Sequence, residues 1–227
     1  MTSMRKEHEM ITSIDEQVNE SLAERAYRLL RDRLILLDIE PGGPIVESVL
    51  AQEIEVGRTP LREAIKRLEA DHLVVTFPRR GTFATNVDLT ELSTISEIRG
   101  ALVPLAARRA AANGGGSVAA ALAEALDRIE SLGDDENTRH LMEFDVQVHR
   151  LINRASESPH LEEMLVRLDS LVTRLWCLMM DRLPPMREHI REHVALMRAI
   201  LDGDESRAKR LAAEHVQHFD SAVRMVL

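Results

Sequence analysis

Hydrophobic and polar positions recur along this chain with two periods, and the places where the period changes mark its organisation. Val49, Leu50 and Ile54 stand at helical spacing and define one short apolar stripe. After a tight break, Leu61, Ala64, Ile65 and Leu68 define a second stripe, with Val56 placed to plug the space between two short helices packed at an angle. Gly57, Arg58, Thr59 and Pro60 open the second helix. Proline is tolerated in a first turn because the N–H it lacks would have no intrahelical partner there. Leu73 to Phe77 is then β-branched and aromatic, Pro78-Arg79-Arg80-Gly81 reads as a turn, and Thr82 to Asn86 returns as the partner strand.

Beyond Asn86 the period becomes helical throughout. The pattern predicts helices over Glu91 to Ala112, Ser117 to Leu132, Asn137 to Ala155, Pro159 to Arg182, Pro185 to Leu201 and Glu205 to Val226, with Thr90 as the cap of the first. The breaks fall at Gly114-Gly115-Gly116, Gly133-Asp134-Asp135, Ser156 to Ser158, Pro184-Pro185 and Asp202-Gly203-Asp204. Connections this short imply antiparallel neighbours. The predicted fold is mainly α: an N-terminal winged helix-turn-helix with a two-strand wing, then an all-α, six-helix antiparallel bundle. The expected division is a loose polar arm over 1–20, the winged domain over 21–86, a linker over 87–90 and the helical domain over 91–227.

Composition sharpens this picture in three respects. A chain of 227 residues that is 44% hydrophobic, with few Gly and Pro, has material for well-packed helices. Its net charge of −9 gives no basic footprint overall. Between Arg58 and Arg80, however, the six cations Arg58, Arg62, Lys66, Arg67, Arg79 and Arg80 outnumber Glu63, Glu69 and Asp71, a local excess of three positive charges. Cys177 is the only cysteine, so no intrachain disulfide forms. No apolar run approaches the roughly 20 residues of a membrane span, and the charged N-terminus lacks a signal-peptide core. A cytoplasmic protein with no membrane partner is the expectation.

Arg58, Thr59 and Arg62 lie on the opening turns of the second short helix, away from its stripe, where a recognition helix presents side chains to base edges and phosphates. The stretch LAQEIEVGRTPLREAIKRLEADHLV, followed by PRRGTF, resembles the DNA-binding domain of the GntR family of bacterial transcription regulators. YRLLRDRLI (Tyr27 to Ile35) and the Pro41-Gly42 turn resemble the family's first helix and its exit, so the likeness covers roughly residues 21 to 86. It implies double-stranded operator DNA as partner, with Arg58, Thr59, Arg62 and Gly81 at positions that contact it and Arg79 and Arg80 at the wing tip. Three positions depart from the family pattern: Glu55 stands for the usual turn Gly, Gly57 for the usual Ser or Thr cap, and His72 for the usual Gly after the recognition helix.

In the helical part, histidine carries the candidate chemistry. Asp145 and His149 stand at i and i+4 and so share a face, one that includes Leu141, Val148 and Ile152. His193 lies among Ile190, Val194 and Met197, and His215 among Leu211, Ala212 and Phe219. A carboxylate and imidazoles on half-apolar faces need partners, because unpaired burial is costly. One Asp with three His suits a divalent first-row ion, Zn or Ni by the imidazoles and Mn by the carboxylate. His189 and His218, at i−4 to His193 and i+3 to His215, share faces with these residues; the EHxxxxxAI register favours His193.

FDVQVHRLI, REHVALMRAILDGD and AKRLAAEHVQHF resemble, in order and spacing, the metal-bearing helices of the FCD effector domain of FadR-type GntR regulators. The resemblance implies Asp145, His149, His193 and His215 as ligands, and a small carboxylate effector at the open metal positions aided by an inward arginine that Arg99 matches. Arg174, on a helix carrying Leu171, Leu175 and Leu178, is a second candidate for the carboxylate, since guanidinium groups suit bidentate recognition. Trp176 and Cys177 are candidates for the pocket wall. Against the pattern, Val103 stands where an acidic residue is usual, Pro104 interrupts the first helix, and Ser158 replaces a customary Asn.

The expected function is a homodimeric DNA-binding transcription regulator, with repression relieved by ligand as the favoured mode. A metalloregulator sensing the ion itself is the alternative. A metal-dependent hydrolase on the bundle is a remote one, since no nucleophile elbow, second acid/base pair or phosphate-cradling loop accompanies the ligand set.

Overall fold

A computed structural model of the protein describes residues 20–133 and 135–227; the arm expected over 1–20 falls, but for Glu20, outside the described residues. Two compact units result. One runs to Leu34 and from Asp38 to Asn86, the other comprises Ile35–Leu37 and Val87–Leu227.

The first unit contains α1 (Leu22–Ile35), β1 (Pro44–Ile45), α2 (Glu47–Glu53), α3 (Arg58–Ala70), β2 (Val74–Phe77) and β3 (Gly81–Ala84). Its core is the predicted apolar set: Leu50, Ile54, Val56, Leu61, Ala64, Ile65 and Leu68 are buried, joined by Ala26, Leu30 and Leu34 of α1. Val49 departs from expectation and stays 48% exposed. It lies one residue before Leu50, and on a seven-residue helix only one narrow stripe can face the neighbour.

The wing hairpin pairs β2 and β3 with Val74 opposite Ala84 and Phe77 opposite Gly81. It does not stand alone. Pro44 and Ile45 pair antiparallel with Phe83 and Thr82, giving a three-stranded sheet in the order β1-β3-β2 rather than the two strands predicted. Two residues are too few to show a period. At the wing tip Arg79 (φ 65°) and Gly81 (φ 101°) are left-handed. No atom lies within 4 Å of where a Gly81 Cβ would be, so conformation rather than space favours glycine there.

Both short helices end in the same motif. Val56 N–H donates to Ala51 O at 3.0 Å and Glu55 N–H to Gln52 O at 3.4 Å; Leu73 N–H donates to Leu68 O at 2.9 Å and His72 N–H to Glu69 O at 3.1 Å. These are the paired bonds of a Schellman ending, which needs a left-handed residue just past the cap. Glu55 (φ 56°) and His72 (φ 61°) supply it. The turn geometry is therefore kept where glycine is missing, at a cost of roughly 1–2 kcal/mol per residue.

The second unit is helical: α4 (Leu92–Ala112), α5 (Ala119–Glu130), α6 (Thr138–Ala155), α7 (Pro159–Met179), α8 (Met186–Leu201) and α9 (Glu205–Val226). These are the six predicted helices, each end shifted by no more than three residues. Thr90 is not the cap of α4. The Asp88 carboxylate accepts from Thr90 N–H at 2.9 Å and from Thr90 Oγ1 at 2.7 Å, capping a short turn over Leu89–Glu91 that leads into α4. Nor does Pro104 interrupt α4, which runs unbroken through it with Pro104 buried. Only one helical hydrogen bond is forfeited there, and the surrounding packing holds the ring.

Helix α4 packs on α9, α6, α7 and α8, and the shared core joins Ala106, Ala107, Ala110, Leu122, Met142, Val148, Leu165, Ile190, Met197 and Ala212. Small residues on α4 allow close helix approach there.

Relieving the left-handed strain tests this description. Glu55→Gly and His72→Gly should each raise unfolding free energy by about 0.5–1 kcal/mol, the strain relieved less the extra backbone entropy of glycine. Urea denaturation followed by circular dichroism measures it; a loss of stability in either variant would show that the turn is not as described.

Candidate metal centre and DNA-facing surface

Four helices of the second unit bring polar side chains into one apolar interior. Helix α6 contributes Asp145 and His149 one turn apart, α8 contributes His189 and His193 one turn apart, α9 contributes His215, and α4 contributes Arg99. Asp145 is 6% exposed, His193 1% and His215 5%. Asp145 and His215 are 70 positions apart in the sequence, and the fold brings the four expected ligands together.

The imidazole nitrogens surround the carboxylate. Asp145 Oδ2 is 3.7 Å from His149 Nε2, and Oδ1 is 3.7 Å from His193 Nδ1 and 3.8 Å from His189 Nε2. Single nitrogens of His149, His193 and His215 lie within 4.8 Å of one another, a spacing that one ion can span, and the same holds for ligand atoms of Asp145, His149 and His189. His189, set aside in favour of His193 in the sequence reading, thus joins the cluster. The i−4 spacing was visible, but a helix face is wide enough for two adjacent turns to reach one point. His218 is different: its ring is exposed and lies 3.2 Å from Glu192 Oε1.

Outer contacts orient the cluster. His215 Nδ1 is 2.8 Å from Glu192 Oε2, which turns its Nε2 inward. His193 Nδ1 lies 3.2 Å from Ile190 O, leaving its buried Nε2 without a protein partner. Nδ1 held by a carboxylate or carbonyl and Nε2 free is the arrangement that readies histidine for a metal. Asp169, which no motif marked, accepts from Arg99 Nε at 3.0 Å and from Asn153 Nδ2 at 2.9 Å.

Burial controls protonation. Desolvation holds His149, His189 and His215 well below the ordinary imidazole value and His193 at about 4, so all four are neutral near pH 7. Desolvation, reinforced by the charge of Asp169, raises the Asp145 carboxyl well above the usual range. Neutral imidazoles present lone pairs without a proton to displace, and a cation beside Asp145 would reverse the raised affinity for a proton.

A cavity of about 20 Å³ opens at this cluster, bounded by Arg99, Asp145, His149, Trp176, His189 and His215 among others. It accommodates one occupant the size of a water or an ion. Asp145 Oδ1, Arg99 Nη1 and Trp176 Nε1, on residues that line it, are buried without a hydrogen-bond partner, as is Nε2 of His193 in the adjoining cluster. Buried polar atoms ordinarily have a partner, and three on the walls of one small cavity beside the His193 ring fit a polar ligand. An acceptor set and a donor set are both present, so the residues fit a cation on one side and an anionic group on the other. Trp176 lines the cavity while Cys177 does not, and Arg174, though 1% exposed and held by burial at about 10, lies outside the lining.

In the first unit, Arg58, Thr59 and Arg62 are exposed on the opening turns of α3, with Arg79, Arg80 and Gly81 exposed at the wing tip. Their cationic charge is not all available. Arg62 Nε donates to Glu47 Oε2 of α2 at 2.8 Å. Arg67 stacks 3.9 Å over the Tyr27 ring and pairs with Glu24, while Tyr27 donates its hydroxyl to Asp71 at 2.7 Å, tying α1 to α3. Arg67 is thus a structural cation, which a count of charges along the sequence cannot reveal.

Comparison with known proteins agrees with both units. Residues 22–84 match the family described as bacterial regulatory proteins, gntR family, and residues 94–218 match the FCD domain. The HTH-type transcriptional repressor RspR of Escherichia coli (strain K12) is 24% identical over 216 residues, 94% of this chain and 95% of that protein. The HTH-type transcriptional repressor GlaR of the same organism is 27% identical over 200 residues, covering 84% and 90%. Among solved structures, E. coli McbR/YncC superposes with a TM-score of 0.77 at 22% identity, covering 91% of this chain and 99% of that one. No helix among the described residues is long and apolar enough to cross a membrane. The chain belongs to the GntR family of bacterial transcription regulators, with an FCD domain as its C-terminal part.

Proposed function

We propose that this regulator is a homodimeric repressor whose grip on operator DNA is controlled from the histidine cluster of its FCD domain. The observation that carries this reading is the set of four unpartnered buried polar atoms in the cluster and on the cavity wall, Asp145 Oδ1, His193 Nε2, Arg99 Nη1 and Trp176 Nε1. Asp145, His149, His193 and His215 would hold a divalent ion, zinc, nickel or manganese. Such an ion offers open coordination positions to carboxylate oxygens. Arg99, aimed by its bond to Asp169, donates Nη1 to the same carboxylate, and the Trp176 indole N–H supplies a further donor. Arg174, buried but outside the cavity lining, would act on the effector through its charge.

The cavity supports coupling. At about 20 Å³ it has no room for an organic acid beside an ion. An effector must therefore prefer a conformation in which α4 and α7 stand further apart, and it shifts the population by its differential affinity for that state. Helix α4 carries Arg99 and begins directly after residue 91, so its displacement is the lever toward the winged domain. Repression relieved by ligand accords with the repressor names of RspR and GlaR. The small cavity equally favours a second reading, a metalloregulator in which the ion alone is the signal. Operator binding with the ion alone and with ion plus acid separates the two.

At the DNA, Arg58 and Arg62 would reach base edges or phosphates from the start of α3, and Thr59, Arg79, Arg80 and Gly81 would contact the backbone. Arg62 would exchange Glu47 for the DNA. On an operator selected from a randomised duplex pool, Arg58→Ala or Arg62→Ala should weaken binding by roughly 1–3 kcal/mol, with ion binding retained. Full affinity in both variants would remove α3 from the interface.

Trp176 is the single tryptophan, so its emission reports on the cavity alone. Titrating small mono- and dicarboxylic acids into ion-loaded protein should change that emission saturably, and Arg99→Ala should abolish the change. Emission indifferent to every acid would leave only the metalloregulator reading.

Removing the ion should expose a pH dependence. Imidazoles held below their unfolded value near 6.5 favour the folded state above that pH. Chelator-treated protein should lose stability as pH falls below about 6.5 and on toward the value near 4 of His193, the four imidazoles outweighing the opposite effect of Asp145. Thermal melting between pH 7.5 and 5 measures this; a flat profile would contradict burial of the cluster.

A further inference from the structure

We propose that His189 is a fifth protein ligand of the ion, so that Asp145 and four imidazoles surround it rather than Asp145 and three. The inference rests on reading the cluster as a metal site and concerns how that site is built. Three expected rings have centroids 4.8 Å apart for His149 and His193, 5.3 Å for His149 and His215, and 4.4 Å for His193 and His215. The His189 ring stands 4.5 Å from His215, 5.7 Å from His193 and 6.4 Å from His149.

A bound imidazole has its centroid about 3.2 Å from the ion, the bond of about 2.1 Å plus the ring radius, so two rings on one ion stand about 4.5 Å apart at right angles and about 6.4 Å apart when opposite. All six separations fall within a tenth of an ångström or so of this range, with His189 and His149 at its opposite limit. Taken together, the six separations define one point equidistant from the four centroids, at about 3.3 Å. Rings in simple contact also stand about 4.5–7 Å apart, so the radius shows that one ion can reach all four rings, and the polar atoms carry the assignment. The polar atoms agree: His189 Nε2 lies 3.8 Å from Asp145 Oδ1, and a nitrogen of His189 groups with Asp145 and His149 as closely as His193 and His215 group with His149. Trp176, 4.4 Å from the His189 ring, holds it in the cluster.

Five protein donors change what the site selects. Four imidazoles and one carboxylate favour nickel, copper or zinc over manganese. A six-coordinate ion keeps one open position, so an acid would attach through one oxygen and leave the other to Arg99 Nη1 or Trp176 Nε1.

The test measures nickel affinity by chelator competition, and cobalt(II) visible absorption, in the full chain and in His189→Ala, His189→Gln and His193→Ala. The expected result is loss of tight binding in His193→Ala, whereas both His189 variants keep one ion per chain at least tenfold more weakly and with an altered cobalt spectrum, which a packing role alone would not produce. Wild-type affinity and spectrum in the His189 variants, with His193→Ala deficient, would overturn the fifth ligand and leave the metal site standing. Absence of binding in the unmutated chain, or wild-type binding by His193→Ala, would overturn the metal site and this inference with it. X-ray absorption at the nickel edge of the unmutated protein gives an independent count: four imidazoles are expected, and three would refute the proposal even were the variants not to fold.

Discussion

Four imidazoles and a carboxylate share one buried site in the FCD domain, and most of what distinguishes this chain follows from that crowding. Asp145, His149, His189, His193 and His215 come from three helices and meet where a helical bundle ordinarily places leucine. Without a compensating charge, the imidazoles are held neutral and Asp145 is pushed toward its protonated form. Burying polar groups without partners costs of the order of 1–3 kcal/mol each. A divalent cation would remove the penalty, giving Asp145 its counter-charge and the inward nitrogens a ligand bond. The outer contacts to Glu192, Ile190 O and Asp169 make sense on that footing, since they aim side chains at a point rather than satisfy them.

The same site explains how a small event could reach DNA. Arg99 belongs both to the cavity wall and to α4, the helix nearest in sequence to the winged domain. Asp169 fixes the Arg99 guanidinium while Asn153, one turn beyond His149 on α6, holds the other oxygen of Asp169. Arg99 of α4 and Asn153 of α6, the helix that also carries Asp145 and His149, are thus tied together through Asp169. In the first unit, Glu47 holds the Arg62 guanidinium in the same way, by a direct hydrogen bond.

Much of this was legible beforehand, for reasons that differ by element. The six helices of the bundle are long and strongly periodic, and Gly, Pro or Asp marks each junction, so their number and order could be read directly. The i,i+4 spacing pairs Asp145 with His149, register favours His193, and His215 enters by its place on an apolar stripe and by the family resemblance. β1 was missed because two residues carry no period, and Asp88 because a capping side chain two residues before Thr90 looks the same in sequence as Thr90 itself. Glu55 and His72 look like faults in the motif until their left-handed backbones show that the motif's geometry survives. His189 was visible as a neighbour of His193, but only distances between rings decide whether one turn or two of α8 reach the cluster. Asp169, Asn153 and Glu192 were invisible, because the contacts that aim a ligand span up to 70 residues.

Whether a cation completes the core is best decided by calorimetric melting of the full chain in chelator and in excess nickel or zinc. An ion that binds the folded domain alone, at about 100 times its dissociation constant, adds about 2.7 kcal/mol, so the bundle's transition should move upward by several degrees, and Asp145→Ala with His149→Ala should cancel the shift. Superimposable melts with and without the ion would mean that the buried imidazoles are satisfied in some other way, and the account of this site would fall.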